Sequence, residues 1–341
     1  MKKKLKVLLT ICNPHDEVQL PMSEPLKNLG YDVQICDVSF RPFGSRLLFR
    51  ICRRLFKSRS SYLWNKLLRF SSWFTQRRVI RAAKKFKPDI FLAIKAKEVE
   101  TETVYKLRDM GIVTANWYME GIWHQSVFIL SPAYDYFFTV DEYTVSVLRE
   151  QGIMSAHYMP CGTRLVPSQV NNMYERIYDI SFVGTPIPLR EQIFGMLSDF
   201  DINIWGPSLW ENTALKKFYR GRAYGADLDN IYQRSKIVVN INNTHDKTTG
   251  PNLRNFEGMG NGALLICDYK KGLEELFTEK KELVFYRDIS ELPGLVSYYL
   301  EHEDERSAIA KAGQSAVLTN HTIESRVKKM MEIIKPKYLI L

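Results

Sequence analysis

The stretch Gly250-Pro-Asn-Leu-Arg-Asn-Phe-Glu-Gly-Met-Gly-Asn-Gly-Ala-Leu-Leu-Ile-Cys-Asp268 concentrates more potential chemistry than any other in the chain. A Gly-Pro-Asn turn opens a short helix, which closes in glycines before an apolar strand and an aspartate. The first turn of a helix carries N–H groups without intrahelical partners and partial positive charge, a natural seat for a phosphate. Asn252 stands at that opening. Arg254 lies just inside it and can add a bidentate contact to the same anion. Glu257, three residues on along the same face, can accept hydrogen bonds from ribose hydroxyls. The same spacing also fits a plain intrahelical ion pair, worth roughly a few tenths of a kcal/mol. Gly258, Gly260 and Gly262 end a helix instead of beginning one, so they read as a C-cap and tight turn and not as a phosphate loop.

A second group of candidates lies near the N-terminus. Asn13-Pro14-His15-Asp16-Glu17 follows the first apolar run and sets a histidine beside two carboxylates. Such a pair can take the proton from an attacking hydroxyl, which makes His15, with Asp16 or Glu17, a candidate base. The alternative is an aspartate N-cap with an exposed histidine beside it. Glu120, after Asn116-Trp-Tyr-Met, and His124 stand at the end of another strand as further candidates. Two Asp-x-Asp pairs, Asp199/Asp201 and Asp227/Asp229, have the spacing that can hold a metal–diphosphate. One precedes a strand and the other starts a helix, so both read as turn and cap residues. The five cysteines are scattered without a Cys-x-x-Cys, and the six histidines show no ligand spacing. Neither a zinc site nor a disulfide framework is expected, and no metal cofactor.

The elements that must position these residues alternate between short apolar runs and helical stretches, the pattern of an α/β fold with parallel sheets. Strands are expected at Lys6–Ile11, Val33–Asp37, Asp89–Ile94, Ile112–Trp117, Tyr136–Thr139 and Ala156–Met159. A second series follows at Ile180–Gly184, Ile202–Gly206, Ile237–Ile241 and Leu264–Asp268. Helices are expected at Val18–Leu29, Thr101–Met110, Glu142–Gln151, Leu189–Leu197, Leu228–Ser235, Leu253–Met259, Leu292–Leu300, Glu303–Asn320 and Ile323–Ile334. The polar stretch Leu165–Tyr178 reads as a linker. At 341 residues two domains are the natural division. We place an N-terminal Rossmann-like domain at 1–165 and a C-terminal one at 175–320. A C-terminal helix, 321–341, would return to the first domain. Ligand is expected between doubly wound domains, at the carboxyl ends of strands.

Charge is unevenly distributed. Residues 41–87 hold fifteen of the 48 Lys and Arg and no acid, while the other 33 are outnumbered by all 38 Asp and Glu. Phe, Leu, Trp and Tyr recur among them at spacings of three and four. One reading is a patch that meets an anionic membrane surface, where each basic residue contributes roughly 1 kcal/mol. The other is ordinary helices with a solvated basic face. No nucleic-acid-binding motif accompanies the charge, so nucleic acid is not expected as a partner. No apolar run reaches eighteen residues, and the N-terminal Val7–Cys12 run is too short for a signal peptide.

Arg254-Asn-Phe-Glu257-Gly-Met-Gly-Asn-Gly262 resembles the Arg-x-Phe-Glu-x-x-x-x-Gly signature of CgeB-like, group 1-like glycosyltransferases. Tyr178-Asp-Ile-Ser-Phe-Val-Gly184 with Arg190, Phe138-Thr-Val-Asp141, Tyr158-Met-Pro160-Cys-Gly162 and His321-Thr-Ile-Glu-Ser-Arg326 are similar to other parts of that family, in its order. The resemblance runs from about Asp89 to Arg326. It implies a GT-B fold, two Rossmann-like domains with an interdomain cleft, and transfer of a sugar from a nucleotide-sugar to a glycan or lipid-linked acceptor. Surface polysaccharide or glycoconjugate synthesis is the expected setting, in the cytoplasm or peripherally on the inner face of the membrane. Gly184, Arg190, Asn252, Arg254 and Glu257 would bind the donor, without a metal. His15, Asp16 and Glu120 would serve catalysis. Related retaining enzymes carry a second glutamate eight positions before the one matched by Glu257; here Thr249 stands there. The rival expectation is a non-catalytic module of the same fold that binds nucleotide-sugar or membrane. A Rossmann dehydrogenase is disfavoured because no Gly-x-Gly-x-x-Gly follows an early strand.

Overall fold

The computed structural model describes residues 4–11, 22–38, 62–122, 124–164, 174–242 and 249–334. The chain divides into two compact units: Met1–Thr139, Thr144–Met159 and Met330–Leu341 form one, Val140–Tyr143 and Pro160–Lys329 the other.

In the first unit, β1 (Lys6–Ile11), β2 (Asp32–Asp37), β3 (Ile90–Ile94), β4 (Val113–Tyr118), β5 (Tyr136–Thr139) and β6 (Ala156–Tyr158) form one sheet in the order β2-β1-β3-β4-β5-β6. Every pairing is parallel. All residues of β3 and β4 are buried, as expected of parallel strands covered on both faces. Helices α1 (Ser23–Asn28), α2 (Tyr62–Phe86), α3 (Thr101–Asp109), α4 (Ser126–Leu130) and α5 (Glu142–Glu150) connect the strands. Gly111, at φ +78°, closes α3 in the left-handed conformation that its place after the helix predicts. The sheet order reverses between β1 and β3.

In the second unit, β7 (Tyr178–Val183), β8 (Ile202–Trp205), β9 (Ser235–Asn240), β10 (Leu264–Asp268) and β11 (Val284–Tyr286) form a parallel sheet ordered β11-β10-β9-β7-β8. Its helices are α6 (Pro188–Met196), α7 (Ala226–Gln233), α8 (Leu253–Gly260), α9 (Lys271–Glu274), α10 (Leu292–Glu301), α11 (Glu303–Asn320) and α12 (Ile323–Ile334), the last belonging to the first unit from Met330 on. Ile180, Phe182, Phe194, Ile204, Ile237, Ile266 and Val296 are among its core residues. Here the order reverses between β7 and β9, so the loops after these two strands flank the switch point at which open α/β sheets bind ligands.

Most elements fall within a residue or two of the expected bounds. The helix expected at Val18–Leu29 is described only from Ser23. Three short elements escaped the sequence reading: α4, α9, and β11, whose three residues are too few to show a period.

Candidate functional site

The donor candidates all belong to the second unit, and polar side chains at the ends of its strands hold them. Asn252 caps α8: its Oδ1 accepts the Arg254 N–H at 3.0 Å and the Asn240 Nδ2 at 3.0 Å, while its own Nδ2 donates to the Ile241 carbonyl at 3.2 Å. Asn242 Oδ1 accepts from the Asn252 N–H at 3.2 Å and from Asn255 Nδ2 at 2.6 Å. Asn240 in turn donates to Asn255 Oδ1. The last residue of β10, Asp268, accepts from the N–H and Nδ2 of Asn242 at 2.7 and 2.9 Å. Burial raises the Asp268 carboxyl above the usual range, opposed by these Asn242 donors and by Lys270, whose Nζ lies 3.8 Å away. A chain of amides therefore ties the carboxyl ends of β9 and β10 to the opening of α8. The opening is partly satisfied from within, since Asn252 already takes the N–H of Arg254 through its side chain and that of Asn255 through its carbonyl. Any anion seated there meets fewer available donors than the sequence reading counted.

The turn before α8 is clamped. One oxygen of the buried Asp141 carboxylate accepts the Thr249 N–H at 2.8 Å, the Thr249 hydroxyl at 3.1 Å and the Gly250 N–H at 3.0 Å. A Cβ on Gly250 would lie 2.4 Å from the Val140 carbonyl oxygen, and one on Gly272 2.3 Å from that of Thr249. Both glycines are required by close backbone approach.

Arg190 enters from α6, below the turn at Gly184. Its guanidinium donates to the Thr185 carbonyl at 2.9 Å and the Ile241 carbonyl at 3.4 Å and lies 5.3 Å from the Phe182 ring centroid. Its Nε is buried with no partner among the described residues. Burial pulls its pKa down first, Asp268 opposes, and Arg254 adds to the depression, so the two arginines feel each other's charge. The Gly184 carbonyl accepts the Trp210 indole N–H at 2.8 Å, which fixes the turn after β7.

Arg254 and Glu257 meet directly, Nη1 to Oε2 at 2.5 Å, with side chains 27% and 6% exposed. The ion pair weighed from their spacing is thus present, and it is far less exposed than a surface pair. Arg254 keeps the more open side of it.

In the first unit, Glu120 follows β4, half-buried, with Lys97 Nζ 3.9 Å from Oε1; its carbonyl accepts the Thr139 hydroxyl at 2.9 Å. Lys97 comes from a turn after β3 in which Lys95 (φ 59°) and Ala96 (φ 34°) both adopt left-handed backbone. Such strain, about 1–3 kcal/mol per residue, concentrates where function demands it. His124 Nδ1 lies 2.5 Å from Ser126 Oγ, itself 2.5 Å from the Tyr118 hydroxyl. Burial and nearby carboxylates raise Tyr118 to about 12, against the opposing Ser126 bond. His15 and Asp16 lie outside the described residues.

One aspartate of each Asp-x-Asp pair is engaged by other side chains. Asp201 accepts from Asn203 Nδ2 at 3.2 Å, while the buried Asp229 pairs with Arg164 and Asn261 in the second unit. Sequence reasoning missed Asp141, Asn240, Asn242, Asn255 and Asp268 as supports of the site. The run of asparagines around a strand end and a helix start was the available signal; Asp141 stood in a segment similar to the family, but nothing linked it to Thr249, 108 residues away.

The family described as glycosyl transferase-like matches residues 188–332. No curated protein compared with the chain matches it. Among solved structures, a sucrose-phosphate synthase from Thermosynechococcus elongatus is similar at TM-score 0.69 and 11% identity, over 99% of this chain and 100% of that one. A glycosyltransferase from Rickettsia africae gives 0.63 and 14%, over 98% of each chain. The Anabaena protein HepE, crystallised with UDP and glucose, gives 0.62 and 10%, over 97% of this chain and 100% of its own. With two parallel α/β sheets, the chain has the two-domain GT-B fold of these solved structures, and residues 188–332 of its second unit are similar to a glycosyl transferase-like family.

Proposed function

We propose that the chain transfers a sugar from a nucleotide-sugar to a glycan or lipid-linked acceptor, without a metal ion, in surface polysaccharide or glycoconjugate synthesis. The observation that carries the donor half is the placing of Arg190 against the turn after β7 and the Ile241 carbonyl after β9, and of Arg254 on the capped first turn of α8, at the switch point of the sheet. The charge of Arg254 lowers the proton affinity of Arg190, and an anion beside both would relieve that repulsion. A leaving diphosphate is that anion, and fixed cations aimed at developing charge need no reorganisation during the reaction. The uracil nucleotide bound by HepE makes UDP the first donor to try. Glu257 would take the ribose. Acceptor activation falls to His15 with Asp16, or to Glu120.

Thermal shift with UDP-, GDP- and dTDP-sugars tests the donor, followed by transfer in the presence of EDTA. A hundredfold excess over Kd should stabilise by about 2.7 kcal/mol. No shift with any of the three would sink the donor reading. Activity abolished by EDTA and restored by Mn²⁺ or Mg²⁺ would sink the metal-free one. Donor binding without turnover or donor hydrolysis would favour the non-catalytic module.

A further inference from the structure

Helix α2 has one buried side and one exposed side. Val79 and Ala83 pack into the core of the first unit with Ile80, Ala82 and Phe86 against it. Gln76 fixes the rotation of the helix, donating to the Glu98 carbonyl at 2.9 Å and accepting the Glu100 N–H at 3.2 Å. The opposite side presents Trp73 and Phe74, 47% and 37% exposed, and the exposed Arg77, Arg78, Arg81, Lys84 and Lys85. At about 100° per residue these seven fall within one arc roughly 140° wide. No acid lies on that arc. The two rings meet edge to face at 4.9 Å, and the Arg77 guanidinium lies 4.4 Å from the Trp73 centroid. Beside them an open groove of about 640 Å³ runs between α2 and α3, adding Lys106 to the cations and Glu100 and Glu102 at its far wall.

Cations spaced three and four apart on one helix repel each other, and exposed Trp and Phe gain nothing from water. The arrangement is costly in isolation and relieved by an extended anionic surface that also accepts aromatic rings. We propose that this face of α2 docks on the anionic lipid headgroups of a membrane, with lipid phosphates against Arg77, Arg81 and Lys84 and with Trp73 and Phe74 at headgroup depth. Amphipathic rings and cations share that layer in helices that lie along a bilayer. No described helix is long and apolar enough to cross one. The surface is separate from the donor residues and independent of how they are read.

Flotation of the full chain with phosphatidylcholine vesicles, with and without phosphatidylglycerol, is the test. Binding is expected only with the anionic lipid and is expected to weaken at high salt, as the Debye length contracts. Joint Arg77→Glu, Arg81→Glu and Lys84→Glu changes should cut partitioning at least about tenfold. Trp73→Ala with Phe74→Ala should weaken it while leaving the salt dependence in place. All five side chains sit on the outer arc, so the melting temperature and UDP affinity of these variants should match the parent; this separates failure here from failure of the donor reading. Absence of binding to anionic vesicles at low salt overturns the proposal. So does undiminished binding by the charge-reversed chain, or displacement of vesicles by duplex DNA at equal phosphate concentration.

Discussion

Arg254→Ala sets the two roles of that side chain against each other. The substitution strips the guanidinium from a carboxylate only 6% exposed, with which it makes a 2.5 Å contact. Charges centred about 4 Å apart attract by about 4 kcal/mol at an effective dielectric of 20. Desolvation of Glu257 and the 27% exposure of Arg254 discount that figure. A charge-assisted hydrogen bond of roughly 1.5–3 kcal/mol is what remains. Arg254→Ala should therefore destabilise the second unit by about 2–3 kcal/mol and Glu257→Gln by about 1–2 kcal/mol. The double variant should fall short of their sum by about 1.5 kcal/mol or more. In scanning calorimetry 2 kcal/mol appears as about 4–8 °C for a domain of this size. Titration calorimetry with UDP and uridine then isolates the functional part. Loss of a phosphate contact of the same strength raises the UDP Kd about 10- to 150-fold and leaves uridine nearly unchanged. Glu257→Gln should weaken both ligands alike, because they share the ribose. An additive cycle would refute the ion pair as a stabilising contact. Equal losses for UDP and uridine in Arg254→Ala would reduce the arginine to a structural residue.

Two further expectations follow from buried polar groups of the second unit. Burial, and next Arg326, hold His321 at about 4 against its ordinary 6.5. The unfolded chain takes that proton first, so its stabilisation is full above about pH 6.5 and is lost towards pH 4, up to about 3 kcal/mol. His321→Gln should show a melting-temperature deficit that narrows across this window, and parallel curves would exclude the histidine as the cause. Asp141→Ala releases the Thr249–Gly250 turn and should raise the UDP Kd about tenfold, the equivalent of one charge-assisted hydrogen bond. Asp141→Asn, which keeps an acceptor oxygen, should lose less; an unchanged Kd for Asp141→Ala would mean that the turn holds itself.

The strands were legible because burial on both faces writes continuous apolar runs, as in Ile90–Ile94, and the helix ends because glycine at left-handed φ is a local requirement, as at Gly111. The same local rules located the start of α8, where a Gly-Pro-Asn turn was expected to open the helix and Asn252 is its cap. The side chains that hold this start in place left no such mark. Asn240, Asn242 and Asn255 follow no period, because what selects them is the orientation of amides at the ends of neighbouring strands. The pairing of β9 with β10 that brings Asn242 to Asp268 exists only after the sheet forms. Periodicity reports which residues face the core, and is silent about polar groups that face one another.

Thr249 shows how far a resemblance carries before the local structure must take over. Related retaining enzymes place a glutamate at this position. Thr249 commits both its N–H and its hydroxyl to Asp141, and its carbonyl accepts the Gly272 N–H at 3.0 Å. A residue fastened through its N–H, hydroxyl and carbonyl serves to hold the loop, and a longer carboxylate there would put a second negative charge beside the buried Asp141. Holding the turn rigid preserves the approach to α8 while removing one polar group from reach of the donor. On this reading the anion-facing work falls to Arg190 and Arg254, the two cations that already sense each other across the switch point. A glutamate restored at 249 should therefore disrupt the clamp before it could add any contact.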